Sequence, residues 1–380
     1  MKKVFLFAIS FLSLAFLMPS CQRNKLALIP AENFTDTLDG RPVSLYTIKN
    51  GDVTMQVTNF GGRVVSLFTP DRKGRMLDIV VGHPSLKEYV SHTSERFLGA
   101  CVGPVANRIG HARFKINDTT YEVSANDNSV NTLHGGFSGL DLVVWDVRNV
   151  NDTSITLGYF RKDGQEGFPG NLDIEMTYSL SKKNEFKVTY SATTDKATPV
   201  NISHHSFFNL EGEGSGSIEK YVMYINASHY TPIDSLSIPT GEIADVAGTP
   251  FDFREPHAIG KMINDDDRQL KNARGYDHNW CLDRDSTETG SLQLACTVYD
   301  KDSGRFIAVF TDQPGLQFYS GNFFDGKSVG KNGKPLGFRS SLVLETQHYP
   351  DSPNHPDFPS VILYPGQTYH HTCVYQFLAK

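Results

Sequence analysis

Along Leu172-Asp173-Ile174-Glu175-Met176-Thr177-Tyr178-Ser179-Leu180, apolar and polar residues alternate without a break. Successive side chains of a strand point to opposite faces, so this pattern predicts a half-buried strand with its even-numbered residues inward. Glu185 to Ser191 repeats the alternation one short turn later, which predicts an antiparallel hairpin closed through Ser181 to Asn184. Ser291 to Val298, Phe306 to Phe310, Leu316 to Tyr319 and Tyr369 to Phe377 read as further strands. Helical periodicity is nearly absent. One short turn is expected around Asp265 to Ala273, with Asp265-Asp266-Asp267 as its solvated cap rather than a metal site. Many strands separated by Gly, Asn, Asp and Pro turns imply an all-β chain of stacked antiparallel sheets, a sandwich without crossover helices.

The first residues have a different character. Met1-Lys2-Lys3 is a short basic start, Val4 to Leu17 is apolar, and Met18-Pro19-Ser20-Cys21 ends the stretch with a small residue before a cysteine. Residues 1–20 therefore read as a secretion leader, too short to span a bilayer at the roughly 20 residues required. Cys21 resembles the lipidated first residue of a bacterial lipoprotein, although Met18 and Pro19 are not the preferred residues of that box. The expectation is export to the bacterial periplasm or envelope, with membrane attachment only through Cys21. Residues 21–30 would form a tether and residues 31–380 the β-sandwich domain. The roughly 350 residues beyond the leader exceed a usual sandwich, so length alone favours two domains. No linker supports the split, since Gly212-Glu213-Gly214-Ser215-Gly216-Ser217 is too short and reads as a surface loop.

Composition narrows the partners. A net charge of −6 with mixed signs offers no basic stripe for nucleic acid. Cys101, Cys281, Cys296 and Cys373 lie far apart among apolar neighbours, which favours buried thiols over disulfides. A small neutral ligand fits this balance.

The chemistry concentrates elsewhere. Glu345 ends the apolar run Ser341-Leu342-Val343-Leu344 and precedes the loop Thr346-Gln347-His348-Tyr349-Pro350. A carboxylate there is drawn into a desolvated place, where it needs hydrogen bonds or a proton to handle. Two histidines are candidate partners: His205, in Ser203-His204-His205-Ser206-Phe207-Phe208-Asn209-Leu210, and His134, in Leu133-His134-Gly135-Gly136. One carboxylate and one imidazole suggest proton transfer. His-Gly-Gly also occurs in esterase oxyanion loops, but no Gly-x-Ser-x-Gly elbow supplies a nucleophile here. His348, His355, His370 and His371 match no zinc spacing, and the last two alternate across a strand, so no metal is expected.

Six segments in order resemble the aldose 1-epimerase (galactose mutarotase) family. They are Leu98-Gly99-Ala100-Cys101-Val102-Gly103-Pro104-Val105-Ala106-Asn107-Arg108-Ile109, Leu133-His134-Gly135-Gly136, and His205-Ser206-Phe207-Phe208-Asn209-Leu210. Gly275-Tyr276-Asp277-His278-Asn279-Trp280, Gly315-Leu316-Gln317-Phe318-Tyr319-Ser320-Gly321-Asn322 and Leu344-Glu345-Thr346-Gln347 complete the set. The resemblance implies one large antiparallel β-sandwich, a supersandwich, which removes the objection from length. It also implies interconversion of the α and β anomers of a free aldose such as glucose or galactose, without a cofactor. On this resemblance Glu345 maps to the base, His205 to the acid, and Asn107, Arg108, His134, Asp277 and Gln317 to sugar binding. His204 should face away from His205. Trp280, Phe207 and Phe318 could supply an apolar wall, although with 25 Phe most are expected in the core.

The chain departs from the family pattern at Pro104, where many members have arginine, and at His204, where asparagine is usual. These departures touch substrate preference more than reaction type. Two rivals share the same residues: a non-catalytic sugar-binding lipoprotein, and a glycoside hydrolase using Asp277 and Glu345 as its carboxylates.

Overall fold

The computed structural model describes residues 26–91, 95–285, 287 and 290–380, so the leader and Cys21 lie outside the described residues. Leu172–Leu180 buries its even-numbered side chains and leaves the odd ones partly or wholly exposed. It pairs antiparallel with Glu185–Thr194, with Leu180 opposite Phe186. The turn closes where Ser181 N donates to Glu185 O and Asn184 N to Ser181 O. Asn184 takes the left-handed conformation that an asparagine tolerates (φ 59°).

This hairpin belongs to a nine-stranded antiparallel sheet. Its order is Asp146–Asn151, Ser154–Arg161, Leu172–Leu180, Glu185–Thr194, Tyr369–Ala379, Arg305–Thr311, Gln293–Tyr299, Val222–Ile225 and His257–Ala258. The strands expected from Ser291, Phe306 and Tyr369 onward all lie in it, with ends displaced by at most two residues. A second, six-stranded sheet runs Phe207–Phe208, Leu342–Gln347, Gly315–Tyr319, Asp277–Cys281, His229–Thr231 and Ala244–Asp245. A third joins Leu45–Asn50, Val53–Thr58, Arg63–Pro70 and Met76–Asp78. In Val53–Thr58 the alternating polar residues are buried as well as the apolar ones. Gln56 explains this: its side chain accepts from Ile29 N and donates to Ile29 O, so the N-terminal segment covers what would be a solvated face.

The inward faces of the three sheets share one continuous apolar cluster, including Met176, Phe186, Val309 and Tyr375 from the first, Leu316, Phe318 and Leu344 from the second, and Met55 and Leu67 from the third. Each such side chain contributes about 1.5–3 kcal/mol when fully buried. Sheet faces packed on a shared core are the sandwich the alternation implies. Cys101, Cys281, Cys296 and Cys373 are buried free thiols.

Two local differences from expectation have clear causes. The helix is Arg268–Ala273, shorter than the anticipated segment, because Asp267 is the cap itself: its carboxylate accepts from Gln269 N and Leu270 N. Asp266 instead pairs with Lys271. In the Gly212 to Ser217 loop, only residues 215–217 are exposed. Glu213 is buried, accepting from Gly82 N and Lys331 N through Oε1 and from Asn332 N through Oε2. A carboxylate converts that end of the loop into a buried anchor because several main-chain N–H groups converge on it.

A buried brace ties the sheets to the segment that enters the site. Arg63 is fully enclosed and donates to Arg96 O, Leu98 O and Asp141 O. The Asp141 carboxylate, also fully enclosed, takes both Nε and a terminal nitrogen of Arg96, at 2.7 and 2.9 Å. Removing one member of such a network strands an uncompensated charge. Asp141→Ala is expected to cost about 3–5 kcal/mol in urea unfolding; an unchanged midpoint would show that the brace contributes nothing.

Candidate active site

Strand parity decides what the six-stranded sheet presents. In Leu342–Gln347, Leu342 and Leu344 join the core, so Val343, Glu345 and Gln347 face the other way. Gln317 sits directly opposite Glu345 on the neighbouring strand, and Asn279 opposite Gln317 on the next. Asp277 and Tyr319 share that outward face. A charged or polar row thus lies behind a strand that is buried on both sides.

Two further pairings bring the histidines to this face. Ser203–His205 pairs with Ala100–Val102, and His205 lies opposite Ala100. Its neighbour His204 turns away as expected, contacting Tyr178 OH through Nδ1 and Ser206 Oγ through Nε2. Leu133 pairs with Arg108, which sets Asn107 beside His134. His134 N donates to Asn107 O, and Asn107 N donates back to His134 Nδ1. Both residues have positive φ, 49° and 59°. Gly135 follows because a Cβ there would meet Gly103 O at 2.0 Å.

That reciprocal pair fixes a tautomer. Nδ1 of His134 accepts, so in the neutral ring Nε2 carries the proton and is a hydrogen-bond donor. His134 and His205 meet edge to face, with centroids 5.2 Å apart, and Phe97 packs on both rings. His205 Nε2 lies 3.7 Å from Glu345 Oε2. Asn107, Arg108, His134, His205, Asp277 and Glu345 line one cavity of ≈240 Å³. That is the volume of roughly eight water molecules, suited to one small polar ligand rather than a polymer.

Electrostatics follow from burial. Desolvation raises the Glu345 carboxyl well above its ordinary 4.5; Asp277 and Glu95 push the same way, and Arg108 opposes them. Asp277 is raised by desolvation, against the pull of Arg108 and the Gln317 hydrogen bond. The His205 imidazole falls from 6.5 to about 3, mainly by desolvation and secondarily by the Arg63 charge. His134 is held well below 6.5 by desolvation, by His205 and by Arg108. Arg108 is oriented by a 2.9 Å hydrogen bond from Nε to Asp127.

The structure therefore gathers six of the seven expected site residues around the cavity. Gln317 stands one strand over from Glu345, its Nε2 donating to Asp277 Oδ1 at 2.7 Å, so its visible role is to orient Asp277. Trp280 and Phe318 are not a wall of this cavity: even parity turns them into the core, where Trp280 Nε1 donates to Phe251 O. Phe207 is buried beside His205, ring centroids 5.0 Å apart. The apolar wall is instead Phe97, Leu133, Tyr319 and Phe323. Glu95 also lines the cavity. It precedes the apolar run Phe97-Leu98-Gly99-Ala100, a charge beside a buried stretch, which is the same signal that marks Glu345.

Three of the four downstream histidines are engaged elsewhere. His348 contacts Gln313, His355 contacts Asp351, and His371 contacts Thr346 and Ile202 O. Among the described residues, His134, His205 and Glu345 do offer ligand atoms within 4.8 Å of one another. The donor set argues against an ion there, since the His134 lone pair is already taken by Asn107 N and its Nε2–H cannot ligate.

The profile of the family described as Aldose 1-epimerase matches residues 44–376. The chain is 40% identical over 335 residues to a galactose mutarotase of Sus scrofa, covering 88% of this chain and 94% of the relative. It is 36% identical over 345 residues to an aldose 1-epimerase of Escherichia coli K12, covering 90% and 97%. Among solved structures, a GalM/aldose epimerase homologue from C. elegans superimposes with a TM-score of 0.81 at 25% identity, covering 89% of this chain and 99% of that one. A galactose 1-epimerase from Lactobacillus acidophilus NCFM gives 0.78 at 28% identity, covering 91% and 97%. The order of the motifs, the sandwich and the shared cavity agree with this match across most of the chain, which belongs to the aldose 1-epimerase family.

Proposed function

We propose that this cavity interconverts the α and β anomers of a free aldose of the glucose or galactose class, with Glu345 as base and His205 as acid. The observation that carries the reading is the 3.7 Å approach of Glu345 Oε2 to His205 Nε2 within a cavity sized for one small molecule. The two oxygens that must exchange protons, the anomeric hydroxyl and the ring oxygen, sit on the same carbon. Two proton-transfer groups close together can therefore serve both. Glu345 takes the hydroxyl proton, His205 protonates the ring oxygen, and the C1–O5 bond opens to the aldehyde. After rotation about C1–C2 the protons return as the ring closes on the other face. Atoms and protons balance without a cofactor. Names of the relatives, galactose mutarotase and aldose 1-epimerase, support this substrate class.

The neighbouring groups suit positioning. His134 offers its Nε2–H, Arg108 its terminal guanidinium nitrogens and Asp277 its second oxygen to ring hydroxyls. Phe97 and Tyr319 face the apolar C–H surface of the sugar.

Polarimetry on freshly dissolved α-D-glucose and α-D-galactose tests the reading. The protein should accelerate equilibration of at least one of them. Glu345→Gln and His205→Asn should each lose about 10²–10⁴ in rate while remaining folded. Wild-type rates in either variant would show the roles misassigned. Release of aryl alcohol from an aryl glycoside would favour the hydrolase, and saturable sugar binding without turnover would favour the sugar-binding lipoprotein.

The reversed proton affinities predict an unusual pH profile. With His205 near 3 and Glu345 well above 4.5, the pair holds a single proton between those two affinities. A second proton, which disables the base, binds only well below 6.5. Loss of the last proton, which disables the acid, sets the alkaline limb. The acid limb of kcat/KM should therefore lie well below 6.5; a limb centred at 6.5 would mean an ordinary, solvated imidazole.

Localisation rests on the leader alone. We propose export and lipid attachment at Cys21, so that Cys21→Ala moves the protein from the membrane to the soluble fraction. Unchanged fractionation would contradict the anchor.

A further inference from the structure

The outward face of the six-stranded sheet carries more polar groups than the proposed reaction uses. The Asn279–Gln317–Glu345 row is followed by Cys281–Gly315–Gln347 in register. Asn279, Gln317, Glu345 and Gln347 are at most 3% exposed. Among the described residues, six of their atoms have no hydrogen-bond partner: Asn279 Oδ1 and Nδ2, Gln317 Oε1, Glu345 Oε1, and Gln347 Oε1 and Nε2. Left unpaired, six such atoms would cost as much as a domain's whole net stability, so a partner must exist. Gly315 lies in the middle of the second row, and Asn279 Oδ1 occupies the place that a side chain there would take. A Cβ there would come within 2.4 Å of Asn279 Oδ1 and 3.1 Å of the Tyr349 ring. A small polar space bordered by several donors and acceptors is the setting in which proteins hold buried water.

We propose that ordered water lies among these buried side chains, bridging Glu345 Oε1 to the amides of Asn279 and Gln347, and that this water tunes the proton affinity of Glu345. Asn279 and Gln347 are then positioning residues. They act through the water on the oxygen that does not face His205. A carboxylate that accepts hydrogen bonds is stabilised in its charged form. The titratable and charged groups acting on Glu345 are His205, His134, Arg108, Asp277 and Glu95, and among the charges only Arg108 favours ionisation. The water supplies a second favourable influence. This inference rests on the proposed role of Glu345 as base, but its structural half stands apart from that role.

Two measurements test it. A high-resolution crystal structure of the wild-type protein should show water density within hydrogen-bond distance of Glu345 Oε1 and of an Asn279 or Gln347 amide. Amides bonded directly to each other or to Glu345, with no water, would overturn the proposal whatever the enzyme does. Gln347→Met removes the amide at nearly constant volume. The alkaline limb of kcat/KM should then rise by about one pH unit and the plateau fall about tenfold, with KM little changed. If that variant does not fold, Asn279→Leu, which removes the other amide, should move the limb in the same direction. An unshifted limb in a folded, active variant overturns the tuning role and leaves the acid–base assignment standing. Absence of anomerase activity in the wild type would overturn the assignment, while the crystal structure would still decide the water.

Discussion

The organising constraint is the burial of both faces of one strand. Leu342–Gln347 is enclosed along its whole length, with Leu342 and Leu344 in the shared core and Glu345 on the opposite side. A carboxylate so placed has lost most of its hydration, and only specific neighbours can decide whether it holds a proton. The rest of the site reads as an answer to that condition. The row through Gln317, the approach of His205 and the distant charge of Arg108 all bear on one side chain. Its second oxygen finds no protein partner.

The sandwich supplies rigidity where the chemistry needs it. Glu345, Gln317 and Asp277 stand on neighbouring strands of one sheet, and His205 on a short strand paired with Ala100–Val102. Asn107 and His134 lie at a loop crossing, yet their two mutual hydrogen bonds hold them almost as firmly. The enclosed Arg63, Arg96 and Asp141 network fixes the segment that carries Phe97 over both imidazoles. Pro104 lies in the loop that meets this region: a Cβ on Gly135 would come within 2.8 Å of its ring. Arg96 brings a guanidinium to Asp141 and to Gly136 O at the same place.

Much of this was legible in the chain because the signals were local and periodic. The alternation from Leu172 to Leu180 sets its own register, and Glu345 declares itself by ending an apolar run. His204 and His205 separate by strand parity alone. What escaped depended on contacts remote in sequence. Trp280 and Phe318 have the size and apolarity of a sugar platform, and only the parity of Asp277–Cys281 and Gly315–Tyr319 sends them into the core. Gln56, a polar residue in a strand, is buried because the N-terminal segment pairs with it at Ile29. Asp127, which orients Arg108, and Glu213, which anchors a glycine loop, carry no motif and gain their roles from main-chain geometry elsewhere.

The central claim is spatial: one carbon of one sugar must lie within reach of Glu345 and His205 together. The most direct measurement is a crystal structure with a free aldose bound. The account predicts the anomeric hydroxyl against Glu345 Oε2, the ring oxygen against His205 Nε2, and hydroxyls on His134, Arg108 and Asp277. A sugar bound with C1 turned toward solvent, or seated outside this cavity, would contradict it.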